Sequence, residues 1–141
     1  MKTTRPTSRS YVIEGDPIPL ARHRHTGTRA WDSQKQIKFG IGLQIANQHE
    51  GLGYFNGPLR LDITFYLPMP KRGANYLAGR YQLVKPDLSN LLKMVEDVAT
   101  KIIYHDDCII SVCYAEKRYS AKPRTEFTIT ELKLDTNEPN Q

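Results

Sequence analysis

The segment from residue 88 to residue 102 carries the most regular apolar pattern in the chain. Its apolar residues recur at i, i+3, i+4, i+7, i+10, i+11 and i+14, which is one face of an α-helix. They are Leu88, Leu91, Leu92, Val95, Val98, Ala99 and Ile102. Pro86 shortly before them suits a helix start. The pattern predicts a helix over 88–102 whose apolar stripe packs into the core.

Alternation of apolar and polar residues predicts strands on both sides of this helix. The clearest case is 60–67, where Leu61, Ile63, Phe65 and Leu67 alternate with more polar residues. Weaker alternation predicts three more strands, at 10–14, 108–117 and 126–134.

The segment 33–49 is ambiguous between helix and strand. Ser33 and Gln36 have the spacing of a capping box, which favours a helix. Gly40 and Gly42 weaken a helix, and the apolar residues between 37 and 45 alternate as they do in a strand. We predict a helix here.

Two segments are predicted as loops: 15–27, which contains two prolines and two glycines, and 71–84, which contains two glycines and few periodic apolar residues. His23 and His25 fall in the first loop and have no second pair of metal-binding residues near them. We therefore interpret them as loop residues rather than zinc ligands.

The resulting order is strand, helix, strand, helix, strand, strand. It predicts an α/β (α+β) fold, a small mixed sheet of about four strands with two main helices packed on it. The 141 residues suit one domain spanning 1–141, with 1–9 and 135–141 as flexible ends.

Composition and cysteine spacing exclude several classes of protein. No apolar run reaches the length of a membrane span, and the first residues lack the apolar core of a signal peptide. Cys108 and Cys113 are five residues apart, which puts them on opposite faces of a strand and disfavours a disulfide between them. We expect a soluble protein of the cytoplasm with no membrane partner.

The net charge of +5 is distributed unevenly. Basic residues predominate in 1–30, 69–85 and 117–124, whereas acidic residues concentrate in 87–107 and in the last seventeen residues. Basic loops around an acidic centre suggest a polyanion held against a metal site. The alternative, that these are ordinary solvated side chains, remains open at this stage.

Acidic residues stand at the start of the 88–102 helix and just before the strand that follows it. Asp87 precedes the helix, and Asp106 and Asp107 precede the strand. Only a few residues connect the two elements, so these carboxylates could converge. Grouped carboxylates repel one another unless a cation joins them, and hard oxygen ligands suit magnesium or manganese.

Lys93 lies on the helix face opposite the apolar stripe, together with Asn90 and Asp97. Its ammonium group could neutralise a phosphate oxygen or a leaving group. Structural alternatives remain for each residue. In these alternatives Asp87 serves only the helix start, the Asp106–Asp107 pair forms only a turn, and Lys93 is only a solvated surface lysine.

The stretch KPDLSNLLKMVEDVATKIIYHDDCIISVCYAEKRY, residues 85–119, resembles the signature region of the RusA family of Holliday junction resolvases. The shared pattern is a helix start of the form Pro-Asp-x-Asp/Ser-Asn-x-x-Lys, then an acidic residue within the helix. An Asp-Asp pair then precedes a strand that ends in a basic residue. The loop PIPLARHR, residues 17–24, also resembles the family's Pro-x-Pro and basic stretch.

The resemblance implies a magnesium-dependent endonuclease, with manganese as a substitute and no nucleotide cofactor. It further implies a homodimer that acts on four-way branched DNA. By position it assigns Asp87, Asp107 and Asp106 to the metal site and makes Lys93 the catalytic lysine. Ser89 stands where some members have a second aspartate, so its weaker, neutral oxygen would bind the metal directly or through water.

The basic residues expected to contact DNA phosphates are Arg22, Arg24, Lys71, Arg72, Lys117 and Arg118. Two other functions remain compatible with the sequence. One is a branched-DNA-binding protein that lost cleavage with the ligand at Ser89. The other is a nuclease that prefers flaps or replication forks.

Overall fold

The computed structural model describes residues 7–21, 24–26, 29–31, 33–72 and 75–133, with the backbone alone for 24–26 and 29–31. Strands and helices follow in chain order as β1 (Ser8–Glu14), β2 (Arg24–Thr26), β3 (Arg29–Trp31), α1 (Lys35–Gln48), β4 (Leu59–Pro68), α2 (Leu88–Ala99), β5 (Ile110–Ser120) and β6 (Arg124–Glu131). Two single 3₁₀ turns add Asn75–Leu77 and Asp107–Ile109.

The main sheet has four strands in the order β1-β6-β4-β5. β4 pairs in parallel with β5 and antiparallel with β6, and β1 pairs antiparallel with β6. The predicted mixed sheet of about four strands with two main helices is therefore confirmed.

A short hairpin between β2 and β3 departs from the prediction. The segment 15–27 was expected to be a loop, but Arg24–Thr26 forms a strand, and His25 pairs with Ala30. Assigning His25 to a loop was therefore wrong, while His23 falls outside the described residues. Three-residue strands are too short to show an alternating pattern, so periodicity could not predict them.

The long helix α2 ends three residues before the predicted boundary at 102. Thr100 closes it, with its hydroxyl group donating to the Glu96 carbonyl at 2.9 Å. Lys101 then adopts the left-handed conformation (φ 72°), and its amide donates to the Tyr104 carbonyl at 2.7 Å. Ile102 continues the apolar stripe from this tight turn rather than from the helix, so the periodicity alone could not show the end.

The ambiguous segment 33–49 is helical, as α1, from Lys35 to Gln48. The sequence pattern was mixed because apolar residues lie on several sides of the helix. Ile45 is fully buried, whereas Phe39 and Leu43 are exposed. Gly42 faces Val98 and Ile102, where a Cβ atom would make ordinary contact at 3.5 Å.

The hydrophobic core lies between one face of the sheet and the two helices. Alternate residues of β4, from Leu59 to Leu67, are buried against it, and Leu91 and Val95 face them from α2. Met94, which the predicted stripe left out, is also buried. In the ranges described here, no helix is long and apolar enough to cross a membrane.

The helix α2 connects the parallel strands β4 and β5 and runs antiparallel to β5. Near its end, the Tyr104 hydroxyl group donates to the Glu96 carbonyl at 3.1 Å, just before β5 begins. Near its start, Lys117 of β5 donates from Nζ to the Pro86 carbonyl at 2.8 Å. The beginning of α2 therefore lies beside the end of β5.

Replacing Leu91 with alanine should lower the free energy of unfolding by about 2–5 kcal/mol, because its side chain is fully buried between α2 and the sheet. Leu83→Ala is the control, since Leu83 is 86% exposed and its truncation should cost at most about 0.5 kcal/mol. Urea unfolding followed by circular dichroism measures both. Equal losses for the two variants would contradict the assignment of the core.

Candidate active site

Four carboxylates surround the end of α2 and the start of β5, and we call them the acidic edge: Glu96, Asp97, Asp106 and Asp107. Asp106 precedes the 3₁₀ turn and accepts a hydrogen bond from the Cys108 amide at 2.9 Å. Asp107 begins the turn and is partly buried. Tyr104, in the segment that connects α2 to the 3₁₀ turn, is fully buried, and its hydroxyl group donates a hydrogen bond to the Glu96 carbonyl of α2.

The negative charges of the acidic edge repel one another. Burial raises the pKa of Asp107, and the neighbouring charge of Asp106 raises it further. Burial also raises the pKa of Glu96, to which the charge of Asp107 adds, while Lys93 opposes the shift. The pKa of Asp106 is lowered, because the Cys108 amide stabilises its ionised form.

The two cysteines take no part in ionic chemistry at neutral pH. Both are free and exposed, which confirms that they do not pair. The hydrogen bond to Asp106 raises the pKa of the Cys108 thiol, and burial raises that of Cys113. Neither thiol is activated as a nucleophile, because activation requires a lowered pKa.

Lys93 projects from α2 into solvent near the acidic edge. Its charge acts on Glu96 three residues further along the helix, by lowering the pKa of that carboxyl group. Within the described ranges, its ammonium group makes no hydrogen bond or ion pair. Asp97, predicted to share its face, is held instead by Lys38 of α1 at 3.2 Å.

Asp87 lies at the opposite end of α2. It is the residue before the first helical turn, but its carboxylate makes no capping hydrogen bond. Instead it forms an ion pair with Lys85 at 3.2 Å. Ser89 is exposed in the first turn beside it.

The separation between these two groups follows from helix geometry. Glu96 follows Asp87 by nine positions, which correspond to about 13 Å of helix rise. Across the described residues, no three histidine, cysteine or acidic side chains are close enough together to hold a metal ion. Asp106 and Asp107 are adjacent, and the charge of Asp107 reaches Glu96, but within one chain these three do not form a metal site. Asp87 and Ser89 lie at the far end of α2.

Glu96 is the acidic residue that sequence reasoning did not single out. Only the helix face opposite the apolar stripe was considered, and Glu96 lies at the margin of the stripe, partly buried. Its position three residues after Lys93 is the signal that could have identified it, since such pairs are neighbours on a helix.

The basic residues predicted to contact DNA fall into two groups, those exposed to solvent and those bonded within the chain. Lys71 and Arg72 are exposed in the turn after β4. Lys117 donates to the carbonyls of Val84 and Pro86, at 2.7 and 2.8 Å.

Arg118 donates to Glu116 and to the Gly79 carbonyl, and its guanidinium group lies 4.1 Å from the centre of the Tyr81 ring. Both Lys117 and Arg118 therefore hold the segment before α2 against β5. Arg22 falls outside the described residues, and for Arg24 only the backbone position in β2 is described.

Replacing Glu96 with glutamine should raise the free energy of unfolding at pH 7. A carboxyl group whose pKa is raised in the folded protein opposes folding when it is ionised, and protonation removes that cost. The advantage of Glu96→Gln should therefore shrink as the pH falls through the raised pKa toward the unfolded value of about 4.3. Urea unfolding between pH 4 and pH 8 measures it.

The control for this series is Glu50→Gln, at an exposed position after α1. It should change stability little at any pH in the range. A Glu96→Gln protein that is less stable than the parent at pH 7, or whose difference from the parent does not vary with pH, would contradict the assigned electrostatics.

Comparison with known proteins adds the family to this geometry. The family model described as "Endodeoxyribonuclease RusA" matches residues 14–130. The Bacillus subtilis (strain 168) protein YqaN, described as uncharacterized, is 30% identical over 129 residues, covering 86% of this chain and 90% of its own length. The "crossover junction endodeoxyribonuclease rusA" of Lactococcus phage r1t is 35% identical over 78 residues, covering 55% of this chain and 57% of its own.

The matched range runs from the end of β1 almost to the end of β6, and so includes both ends of α2 and the acidic edge. The chain therefore belongs to the RusA family and is an endodeoxyribonuclease.

Proposed function

We propose that this protein is a magnesium-dependent endonuclease that resolves Holliday junctions in the cytoplasm, by paired nicks placed by a homodimer. The family match and the phage relative named as a crossover junction enzyme support the substrate. The acidic edge is the observation that carries the chemistry. Burial, together with the charge of neighbouring carboxylates, raises the pKa of two of its members, Glu96 and Asp107, in a protein whose net charge is +5.

The donor chemistry of the acidic edge suits a hard divalent cation, although within one chain no three of its carboxylates are close enough to hold the ion. Asp106, Asp107 and Glu96 offer charged oxygen atoms, which magnesium and manganese prefer, and a cation relieves the repulsion among them. When bound, such an ion would activate water for attack on a phosphodiester and offset the developing charge. Asp106 is oriented for this role by the hydrogen bond from the Cys108 amide.

Lys93 supplies a positive charge beside these carboxylates. Because its ammonium group has no partner among the described residues, it is available to a phosphate oxygen or to the leaving oxygen. An ammonium group in that position stabilises negative charge that develops in the transition state. We assign Lys93 as the catalytic lysine.

Asp87 and Ser89 need a second copy of the chain to take part at the same ion. Ligands of one magnesium ion lie about 2.1 Å from it, so they are within about 4 Å of one another. The rise of about 13 Å between the ends of the α2 face is too long for that. A homodimer whose two-fold axis brings the start of α2 of one subunit to the acidic edge of the other removes the conflict.

DNA affinity in this proposal comes mainly from phosphate contacts. Lys71 and Arg72 are exposed and available for them, and Arg22 and Arg24 are assigned to the same role from the sequence. Lys117 and Arg118 contribute their charge, while their donor groups are largely engaged within the chain. A four-way junction has two-fold symmetry, which a symmetric dimer matches.

Replacing Asp107 or Asp87 with asparagine should abolish magnesium-dependent cleavage of a synthetic four-way junction, lowering the rate by about a hundredfold or more. Junction binding should persist or tighten, because the loss of a negative charge reduces repulsion of phosphate. Asp62→Asn is the control, because Asp62 forms an ion pair with Arg60 on the sheet. This variant protein should cleave the junction at the parent's rate. Cleavage and gel-shift assays on junctions, flaps and forks measure these properties.

The same assay separates the alternatives. A parent protein that binds junctions but cleaves nothing in magnesium or manganese is a binding protein, and one that prefers flaps or forks has another substrate. An equimolar mixture of Asp87→Asn and Asp107→Asn subunits tests the shared site. One intact site forms in the mixed dimer if the two ends of α2 meet across subunits, so nicking returns, whereas sites within one chain leave the mixture inactive.

Replacing Lys93 with alanine should lower the single-turnover cleavage rate about a hundredfold and change junction affinity little, because the charge acts in the transition state. Lys122→Ala, which removes an exposed lysine between β5 and β6, should leave the rate unchanged. Rapid-quench measurements with saturating enzyme determine the rate. An unchanged rate for Lys93→Ala would end its catalytic assignment.

A further inference from the structure

The four-stranded sheet has two edges, β1 and β5, and the chain covers the first with side chains. The Val12 amide donates to Oε1 of Gln48 at 2.8 Å, and Nε2 of Gln48 donates back to the Val12 carbonyl at 2.7 Å. The Glu14 amide donates to Oε1 of Gln44 at 2.8 Å. Glutamines of α1 thus satisfy the outward backbone groups of β1 in place of a neighbouring strand.

Among the described residues, the other edge is covered only over the second half of β5. The amide of Gln82 donates to the Lys117 carbonyl at 3.1 Å. The amide of Tyr119 donates to Arg80 at 3.0 Å, and its carbonyl accepts from Gly79 at 2.9 Å. Outward hydrogen bonding by the chain's own loop therefore begins at Lys117.

The first half of β5 presents outward backbone groups that have no partner in the described part of the chain. Alternate residues of a strand direct their backbone groups to the same side, so Cys113 and Ala115 point outward with Lys117 and Tyr119. Within the described ranges, no hydrogen bond reaches the outward groups of Cys113 and Ala115. A register shift against β4 leaves Ser111 without a partner there, so the regular open edge runs from 112 to 116.

This open edge is also apolar. Val112 is 41% exposed and Tyr114 is 55% exposed, and both lie on the sheet face away from the helices. Neither proline nor lysine interrupts 112–116. Exposed edge strands of this kind pair with other strands unless something covers them.

We propose that the open edge of β5 pairs antiparallel with the same edge of a second copy, about a two-fold axis at Tyr114. The two four-stranded sheets then join into one sheet of eight strands. The inference rests on the proposed function in one respect, namely that paired nicking requires a two-fold assembly.

The register follows from which backbone groups are free. With the axis at Tyr114, Cys113 of each copy lies opposite Ala115 of the other, and all their outward groups form hydrogen bonds. An axis at Cys113 would need the irregular Ser111 to pair with Ala115. An axis at Ala115 would need the Lys117 carbonyl, which Gln82 already occupies.

A second copy fits this edge better than another protein strand does. The open segment is short and closed at both ends by the chain itself, with the irregular Ser111 at one end and the 79–82 segment at the other. Across a two-fold axis, the outward backbone groups of Cys113 in one copy can form hydrogen bonds with those of Ala115 in the other. The antiparallel arrangement also directs the acidic edge of one copy toward the Lys117 end of the other, where Asp87 lies.

Light scattering of the full chain, without DNA or metal, tests the interface. The parent should be a dimer, and Ala115→Pro should be a monomer with an unchanged circular dichroism spectrum. Proline removes the outward amide that the pairing uses but is tolerated at a strand edge. Phe39→Ser, on the exposed apolar side of α1, is the control and should remain a dimer. A monomeric parent, a dimeric Ala115→Pro, or a monomeric Phe39→Ser would overturn the proposal.

Cross-linking gives a result that does not depend on how Ala115→Pro folds. In a Cys108→Ser, Cys113→Ser background, Tyr114→Cys should form an intermolecular disulfide under mild oxidation, because directly opposed residues are about 4.5 Å apart between Cα atoms. Val112→Cys alone should not, since its own copy lies about 13 Å away along the strand. Val112→Cys mixed with Glu116→Cys should cross-link.

A disulfide through Val112→Cys alone, or none through Tyr114→Cys, would place the interface elsewhere. Neither assay uses DNA, so the two proposals fail separately. An inactive protein that forms this dimer would overturn only the proposed nuclease function. An active protein with another interface would overturn only the pairing of β5.

Discussion

The parallel pairing of β4 with β5 is the constraint on which the rest of the structure depends. Parallel neighbours cannot be joined by a tight hairpin, so the chain must return across the sheet, and α2 makes that crossing. A crossover helix runs antiparallel to the strands it joins. Its start therefore lies beside the end of β5 and its end beside the start of β5, which separates Asp87 from Asp107.

The same crossing explains why some basic residues serve the fold. The segment before α2 crosses the end of β5, where polar carbonyl groups of Gly79, Val84 and Pro86 need partners. Lys117 and Arg118 supply them, and the stacking of Arg118 on Tyr81 adds to the attachment. A positive charge in the sequence thus has two possible uses, and only the geometry distinguishes them.

The sequence predicted those elements whose burial is one-sided. The stripe of α2 and the alternation of β4 each follow from a single buried face, so their periodicity is clear. α1 is less regular because Phe39 and Leu43 are exposed while Ile45 is buried. The Asp106–Asp107 pair was also identifiable from its place before a strand. The distance to Asp87 was not, because short connectivity does not specify which end of a helix a strand start will meet.

The acidic edge carries a cost that its local structure does not offset. Burial and the charges of neighbouring carboxylates raise the pKa of both Asp107 and Glu96, so their ionised forms oppose folding at neutral pH. Single structural roles, such as the turn capped by Asp106, need only one carboxylate. Several neighbouring carboxylates, beside a lysine that has no partner among the described residues, are explained if a cation and a phosphate complete the arrangement. The electrostatic cost of the acidic edge therefore supports the proposed metal-dependent chemistry.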